Sequence, residues 1–190
     1  MASRGYNVIS TEGNHEVGSL NTKWVKHMAN GAMATESIDN YLLVETSRNV
    51  DGELECKALT DATIKGYLVT TVEEEDLLQT DGFSEEYTDF YNAKEEMVRI
   101  TDVDAQKNAR FETSAFELNA DGVTNGGTIV TEVKKGQVAH FNPATKKYMI
   151  SDATDPATAF ATAVNTFEVV DPDSDFGYAF EKTTVRLMSL

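Results

Sequence analysis

Residues 98–118, "VRITDVDAQKNARFETSAFEL", decide how the rest of the chain is read, because a stretch of similar design recurs at 167–187, "FEVVDPDSDFGYAFEKTTVRL". Laid over each other at an offset of 69, the two agree at five of 21 positions: Asp102 with Asp171, Asp104 with Asp173, Phe111 with Phe180, Glu112 with Glu181, and Leu118 with Leu187. About one match is expected by chance over such a length, so the agreement points to an internal duplication. Each copy has an acidic turn between two segments rich in Val, Thr, Phe and Tyr, the pattern of strand, turn, strand. Phe111 and Leu118, with Phe180 and Leu187, are expected to point inward. "IKGYLV" (64–69) and "VKKGQVA" (133–139) extend the comparison one residue out of register, the glycine serving a bend where a strand enters a barrel or sandwich.

Working outward, short strand-like runs are expected at 41–46, 53–59, 63–72, 97–102, 109–118, 128–133, 137–142, 147–151, 166–171 and 178–187. Turn residues at 50–52, 120–127 and 142–147 punctuate them. Two short helices are expected between strands. One follows Ser84 as N-cap and runs through "YTDFYNAKEEM" to residue 97; the other covers "DPATAFATAV" (155–164), with Asp155 as cap and Pro156 at the first helical position. Residues 1–40 hold no sustained period and read as an extended arm. Val8, Ile9, Val17, Leu20, Trp24, Val25 and Met28 give it more apolar anchor than a free tail carries, so it wraps its own domain or a neighbouring subunit. Trp24, Val25 and Met28 are the candidate partner-binding anchors. The expected fold is mainly β with short helices (α+β): a duplicated β-barrel or β-sandwich module with an extended N-terminal arm. The corresponding divisions are 1–40 (arm), 41–120 (first module) and 121–190 (second module).

Composition narrows the function. The chain has 190 residues, 41% of them apolar, enough for a sizeable core. No run reaches the roughly 18 apolar residues of a membrane span, and the first 30 residues lack the apolar centre of a signal peptide. The single cysteine, Cys56, leaves no intrachain disulfide. Against 32 acidic residues stand 16 basic ones, a formal net charge of -16. Nucleic-acid binding rests on clustered Lys and Arg, and anionic membranes repel such a chain, so both are excluded. A basic patch on a protein partner suits it instead.

The acidic stretch "DPDSDFGYAFE" (171–181) superficially resembles a calcium loop. An EF-hand requires glycine at position 6 and a bidentate glutamate at 12. Counted from Asp171, position 6 is Phe176, Gly177 comes one late and Glu181 is position 11, so the stretch reads as a turn. His15, His27 and His140 show no metal-binding spacing and none lies near Cys56 in sequence; GxGxxG, P-loop and GxSxG motifs are absent. The "EEED" run at 73–76 reads as a solvated surface rather than paired catalytic carboxylates. The expectation is therefore a protein that is not an enzyme, with no catalytic, cofactor-binding or metal-binding residues and no cofactor.

The arm beginning "MASRGYNV", the acidic charge, the lone cysteine and the doubled β-module with its "VKKGQVAHFN" hairpin together resemble the capsid decoration (auxiliary, or cement) proteins of tailed bacteriophages. The resemblance implies a virion structural protein, made in the host cytoplasm, that binds the major capsid protein on the capsid exterior. It implies a homo-oligomer, a trimer being favoured, that stabilises the shell. It carries over no site residue. Two alternatives stay open: a tail, baseplate or head-completion component, and a carbohydrate-binding module with Tyr87, Phe90 and Tyr91 as its platform.

Overall fold

The structure, a computed structural model, describes residues 8–9, 15–20, 26–27, 31–71, 90–103, 109–172 and 182–190. Its strands, in chain order, are β1 (Val8–Ile9), β2 (Gly18–Leu20), β3 (Lys26–His27), β4 (Ala32–Ala34), β5 (Leu43–Arg48), β6 (Leu54–Ala58), β7 (Tyr67–Val69) and β8 (Phe90–Tyr91). They continue as β9 (Met97–Val98), β10 (Ile100–Asp102), β11 (Arg110–Thr113), β12 (Phe116–Leu118), β13 (Val138–Asn142), β14 (Lys147–Ser151), β15 (Thr166–Asp171) and β16 (Val185–Ser189). A single 3-10 turn, Thr158–Ala161, is the one helical element among the described residues.

Two mixed seven-stranded sheets result. The first runs β3-β10-β7-β5-β6-β4-β9 and the second β12-β14-β13-β15-β16-β11-β2, while β1 and β8 form a separate ribbon. The fold is thus mainly β and sandwich-like, with no closed barrel. One core joins the sheets: Leu43 of β5 and Leu68 of β7 pack with Phe111, Phe141, Tyr148, Phe167 and Leu187 of the second sheet. Phe111, Tyr148 and Phe167 stand with ring centroids 5.4 Å apart, and Phe141 meets Tyr148 at the same distance. Such tilted and edge-on pairs add to the area they bury. Val44, Cys56, Val69 and Ile100 point the other way, into a second cluster with Ala32, Ala34, Ile38 and Val98. The central strands of the first sheet therefore bury apolar residues on both faces, Leu43 and Leu68 on one and Val44, Cys56, Val69 and Ile100 on the other.

The duplication is real, but its register differs from the one the sequence suggests. Six strands of each sheet share one plan: β3-β10-β7-β5-β6-β4 matches β11-β16-β15-β13-β14-β12, with each strand taken in the same chain order. In both sheets the second matched strand in chain order, β4 or β12, lies parallel to the second strand of a hairpin, and every other matched pairing is antiparallel. β10 therefore corresponds to β16, whereas the offset of 69 lays residues 98–102 on β15. Gly66 likewise leads into β7 and Gly136 into β13, which are not counterparts. Leu187 and Phe111 are fully buried, as expected, and Leu118 is partly buried against the same core; Phe180 lies outside the described residues.

Backbone hydrogen bonds fix which faces correspond. Leu43 O accepts from Leu59 N towards the β6 side, whereas Gln137 O accepts from Val169 N on the β15 side, the counterpart of β7. Odd-numbered residues of β5 thus match even-numbered residues of β13, because successive side chains alternate faces. The Leu43 and Leu68 face of the first sheet is equivalent to the Val138 and His140 face of the second. The sheets are stacked the same way round, the back of one against the front of the other.

The arm wraps its own domain wherever it is described. β1 pairs with β8, β2 extends the second sheet beside β11, and β3 extends the first beside β10. Gly18 is required at the β11 edge, since a Cβ there would lie 2.1 Å from Glu112 O and 2.7 Å from the Tyr41 ring. The anchors Trp24, Val25 and Met28 lie outside the described residues, on either side of β3.

Both helix expectations need correction. Phe90–Tyr91 is a strand, Asn92 forms an antiparallel bridge to Ile38, and Met97–Val98 is a strand. Asn92 Nδ2 donates to Ile38 O at 3.0 Å and Asn40 Oδ1 at 3.2 Å, so from residue 90 onward long-range pairing replaces the expected helix, whose start at residues 84–89 lies outside the described residues. Glu95, at φ 70°, is also incompatible with a helix there. The second helix shrinks to the 3-10 turn because Asp155 does not cap it: its carboxylate accepts from Thr128 Oγ1 at 3.0 Å and its carbonyl from Thr128 N at 2.9 Å. The strand expected at 128–133 is irregular backbone, held by Val130 N donating to Asn119 O.

Candidate interaction groove

Where the two sheets meet, the link after β6 faces the β13–β14 turn. Residues 57–62, 142–144 and Lys146, with Glu36, line an open groove of about 620 Å³. A smaller recess of about 250 Å³ continues it past Glu16, Ser37, Asp39 and Lys147, sharing Ala58 and Lys146. The turn is Pro143-Ala144-Thr145-Lys146, and Lys146 closes it in the left-handed region at φ 56°. A non-glycine residue held there is strained by about 1 kcal/mol. Asn142 offsets it in part, accepting from Ala144 N at 3.1 Å and donating to Glu117 Oε1 at 2.8 Å, where Thr145 Oγ1 also donates.

The charged groups of the groove are already in contact. Glu36 Oε1 accepts from Ala58 N at 3.0 Å and lies 3.4 Å from Lys146 Nζ, joining one sheet to the turn of the other. Glu45 faces Lys57 Nζ at 3.0 Å and accepts from Thr60 N and Oγ1. Partial burial raises the Glu45 pKa, but the Thr60 hydrogen bonds and Lys57 outweigh it and leave the carboxyl below its ordinary value. Asp61 is lowered by the Thr63 N–H and hydroxyl donating to it. Carboxylates held ionised in this way present negative charge beside the groove. In the neighbouring recess Glu16 accepts from Ser114 Oγ at 2.5 Å and lies 3.9 Å from both Lys147 and Lys182.

Other sequence features fall elsewhere. Cys56 is buried, and burial followed by the Glu36 charge pushes its thiol up to about 12, so it is a packing residue at neutral pH. His15 Nδ1 lies 2.7 Å from Asp39 Oδ1 and its ring stacks on Tyr91 at 4.8 Å. His140 is buried beneath Phe160 at 6.3 Å, and desolvation, opposed by Glu117, lowers its pKa. Phe90 is buried, so it cannot serve as an exposed sugar platform with Tyr91; Tyr87 lies outside the described residues. Of the acidic stretch 171–181, Asp171 ends β15 and lies 3.4 Å from Arg186 Nη1, and residues 173–181 are outside the described set. The "EEED" run is outside it too. Among the described residues no group of three or more His, Cys, Asp or Glu could hold a metal ion, and no helix is long and apolar enough to cross a membrane. Glu36, Lys57 and Lys146, the pairs that build the groove, carried no sequence signal of their own.

Residues 11–189 match a family model described as "YonC prophage protein". One relative, described as "SPbeta prophage-derived uncharacterized protein YonC" from Bacillus subtilis (strain 168), is 39% identical over 188 residues, covering 98% of this chain and 97% of its own length. No solved structure matches the chain.

Proposed function

Because the chain belongs to the YonC prophage protein family, a phage-related lineage, we propose that it is a non-enzymatic virion structural protein that binds the outside of the capsid and stabilises it. The prophage kinship along 98% of the chain carries this reading. The body described above supports it: two stacked sheets share one core, and the arm's own strands lace both. A net charge of -16 suits such a body to basic patches on a shell subunit. With β1, β2 and β3 paired in cis, the folded body and its groove, rather than a free arm, supply the contact surface. Repetition over a lattice turns a modest contact into firm attachment. The partner is the major capsid protein and the bound form a homo-oligomer.

The test is co-sedimentation of purified protein with shells from a phage deleted for its gene. Saturable binding with a fixed number of copies per shell is expected, along with greater resistance of the loaded shells to heat. Failure to co-sediment at micromolar concentration overturns the proposal.

A further inference from the structure

The internal repeat supplies a ruler for edges. Met33 of β4 pairs in parallel with Glu55 and Thr35 N donates to Cys56 O, while Glu117 of β12 pairs in parallel with Met149 and Asn119 N donates to Ile150 O. Met33 therefore corresponds to Glu117, 84 residues later, Ala32 to Phe116, and Ala34 to Leu118. The outer side of β4 is covered by β9, antiparallel, with Ala32 opposite Val98 and Met33 opposite Met97; Ala34 N donates to Glu96 O at 2.8 Å. The outer side of β12 has no strand beyond it among the described residues.

Local turns occupy part of that edge: Phe116 N donates to Ser114 O and Leu118 O accepts from Ala120 N. Leu118 N–H and Phe116 C=O still point outward without a backbone partner among the described residues, and the Leu118 N–H corresponds to the donor that Ala34 gives to Glu96. Phe116, Glu117 and Leu118 are all half-buried. A strand laid antiparallel here would form two backbone bonds flanking Glu117. The residue opposite Glu117 would approach it closely, as side chains do in a non-hydrogen-bonded pair.

We infer that the β12 edge accepts an extended segment of a shell subunit, antiparallel, with a lysine or arginine opposite Glu117 and apolar residues on either side beside Phe116 and Leu118. The identity of the donor rests on the capsid-binding reading, whereas the edge itself rests on the repeat. The charge of Glu117, in a chain of net charge -16, selects a basic segment over a second copy of this acidic chain. Two backbone bonds make one such contact weak, in keeping with attachment by many copies at once.

Two measurements test it. An eleven-residue peptide centred on Val-Lys-Val is added to the intact chain, and amide exchange and chemical shifts are followed. The Leu118 amide should become protected, and a Val-Glu-Val peptide should bind at least about fivefold more weakly. No protection at Leu118, or equal binding of both peptides, overturns the inference. Protection of Leu118 without peptide, with a doubled mass in light scattering, would assign the edge to a second copy and overturn the proposed occupant. In the shell assay Leu118→Pro removes the outward N–H without touching the ladder to β14, and should weaken binding about tenfold. Leu118→Ala, which keeps the N–H, should retain most of it. If unaltered protein binds shells and a folded Leu118→Pro variant binds as well, the inference fails while the proposed function stands. If unaltered protein ignores shells, the proposed function fails and the peptide measurement still decides the edge.

Discussion

Tyr148→Phe is a clean probe of the joint between the sheets. The Tyr148 side chain is fully buried among Phe111, Phe141 and Phe167, and its hydroxyl donates to Tyr41 O at 3.0 Å, across from the second sheet to the first. Phenylalanine keeps the ring packing and removes only that bond. A typical net hydrogen bond is worth about 1 kcal/mol, and a carbonyl left without its donor adds to the loss, so a deficit of about 1–2 kcal/mol is expected at pH 8. For a chain of this size that is roughly 2–8 °C in Tm. The deficit should also depend on pH. Burial holds the Tyr148 phenol well above its ordinary value. Above about pH 10 the unfolded chain releases this proton while the folded chain keeps it, so the contribution of Tyr148 is complete below pH 10 and falls by about 1.4 kcal/mol per unit above it. The variant has no such proton. Urea unfolding of both proteins from pH 8 to 11 should show the deficit shrinking above pH 10 and closing near pH 11. A deficit unchanged across that range, or none at pH 8, would refute the joint as described.

Three further outcomes follow from the same geometry. Gly18→Ala forces a Cβ against Glu112 O and should lift β2 off β11, seen as faster proteolysis within residues 15–20 while circular dichroism stays β-rich. Cys56 should react with a thiol reagent at least about 100-fold more slowly in the folded protein than in urea, because its thiol is buried and stays protonated. For His140, whose pKa is lowered by burial, the unfolded chain takes up a proton first as pH falls below about 6.5. Stability is therefore lost on acidification, and His140→Leu should flatten that loss in urea titrations between pH 7 and 5.

What the sequence disclosed followed the strength of local signals. Lys147–Ser151 and Thr166–Asp171 occupy the expected spans, because their alternation and the "NPATKK" turn are local chemistry. The helix expected after Ser84 rested on a cap and two glutamates, and from residue 90 onward it yields to the bond network of Asn92 with Ile38 and Asn40, partners some 50 residues away. The five matches at an offset of 69 pair strands that are not counterparts in the structural repeat, and no constant offset can align that repeat. The link from β4 to β5 spans residues 35–42, whereas the equivalent link from β12 to β13 spans 119–137, so every inner strand is displaced relative to its counterpart. The groove was illegible for a similar reason: residues 57–62 meet 142–144 and Lys146 only because the sheets stack, and Lys146 in a left-handed turn carries none of the glycine signature such turns usually show.

The same-way stacking of the two units has a consequence for growth. A back-to-front contact is heterologous: the surface it uses on one unit is still present on the next, so repeating the operation yields a filament rather than a closed pair. In this chain Phe160 of the 3-10 turn lies over His140 on the back of the second sheet, and buried Ala157 lies just ahead of that turn. Those residues cover part of the face equivalent to the one the first sheet uses at the contact. Within the chain the stack holds two units, and its two ends present different surfaces.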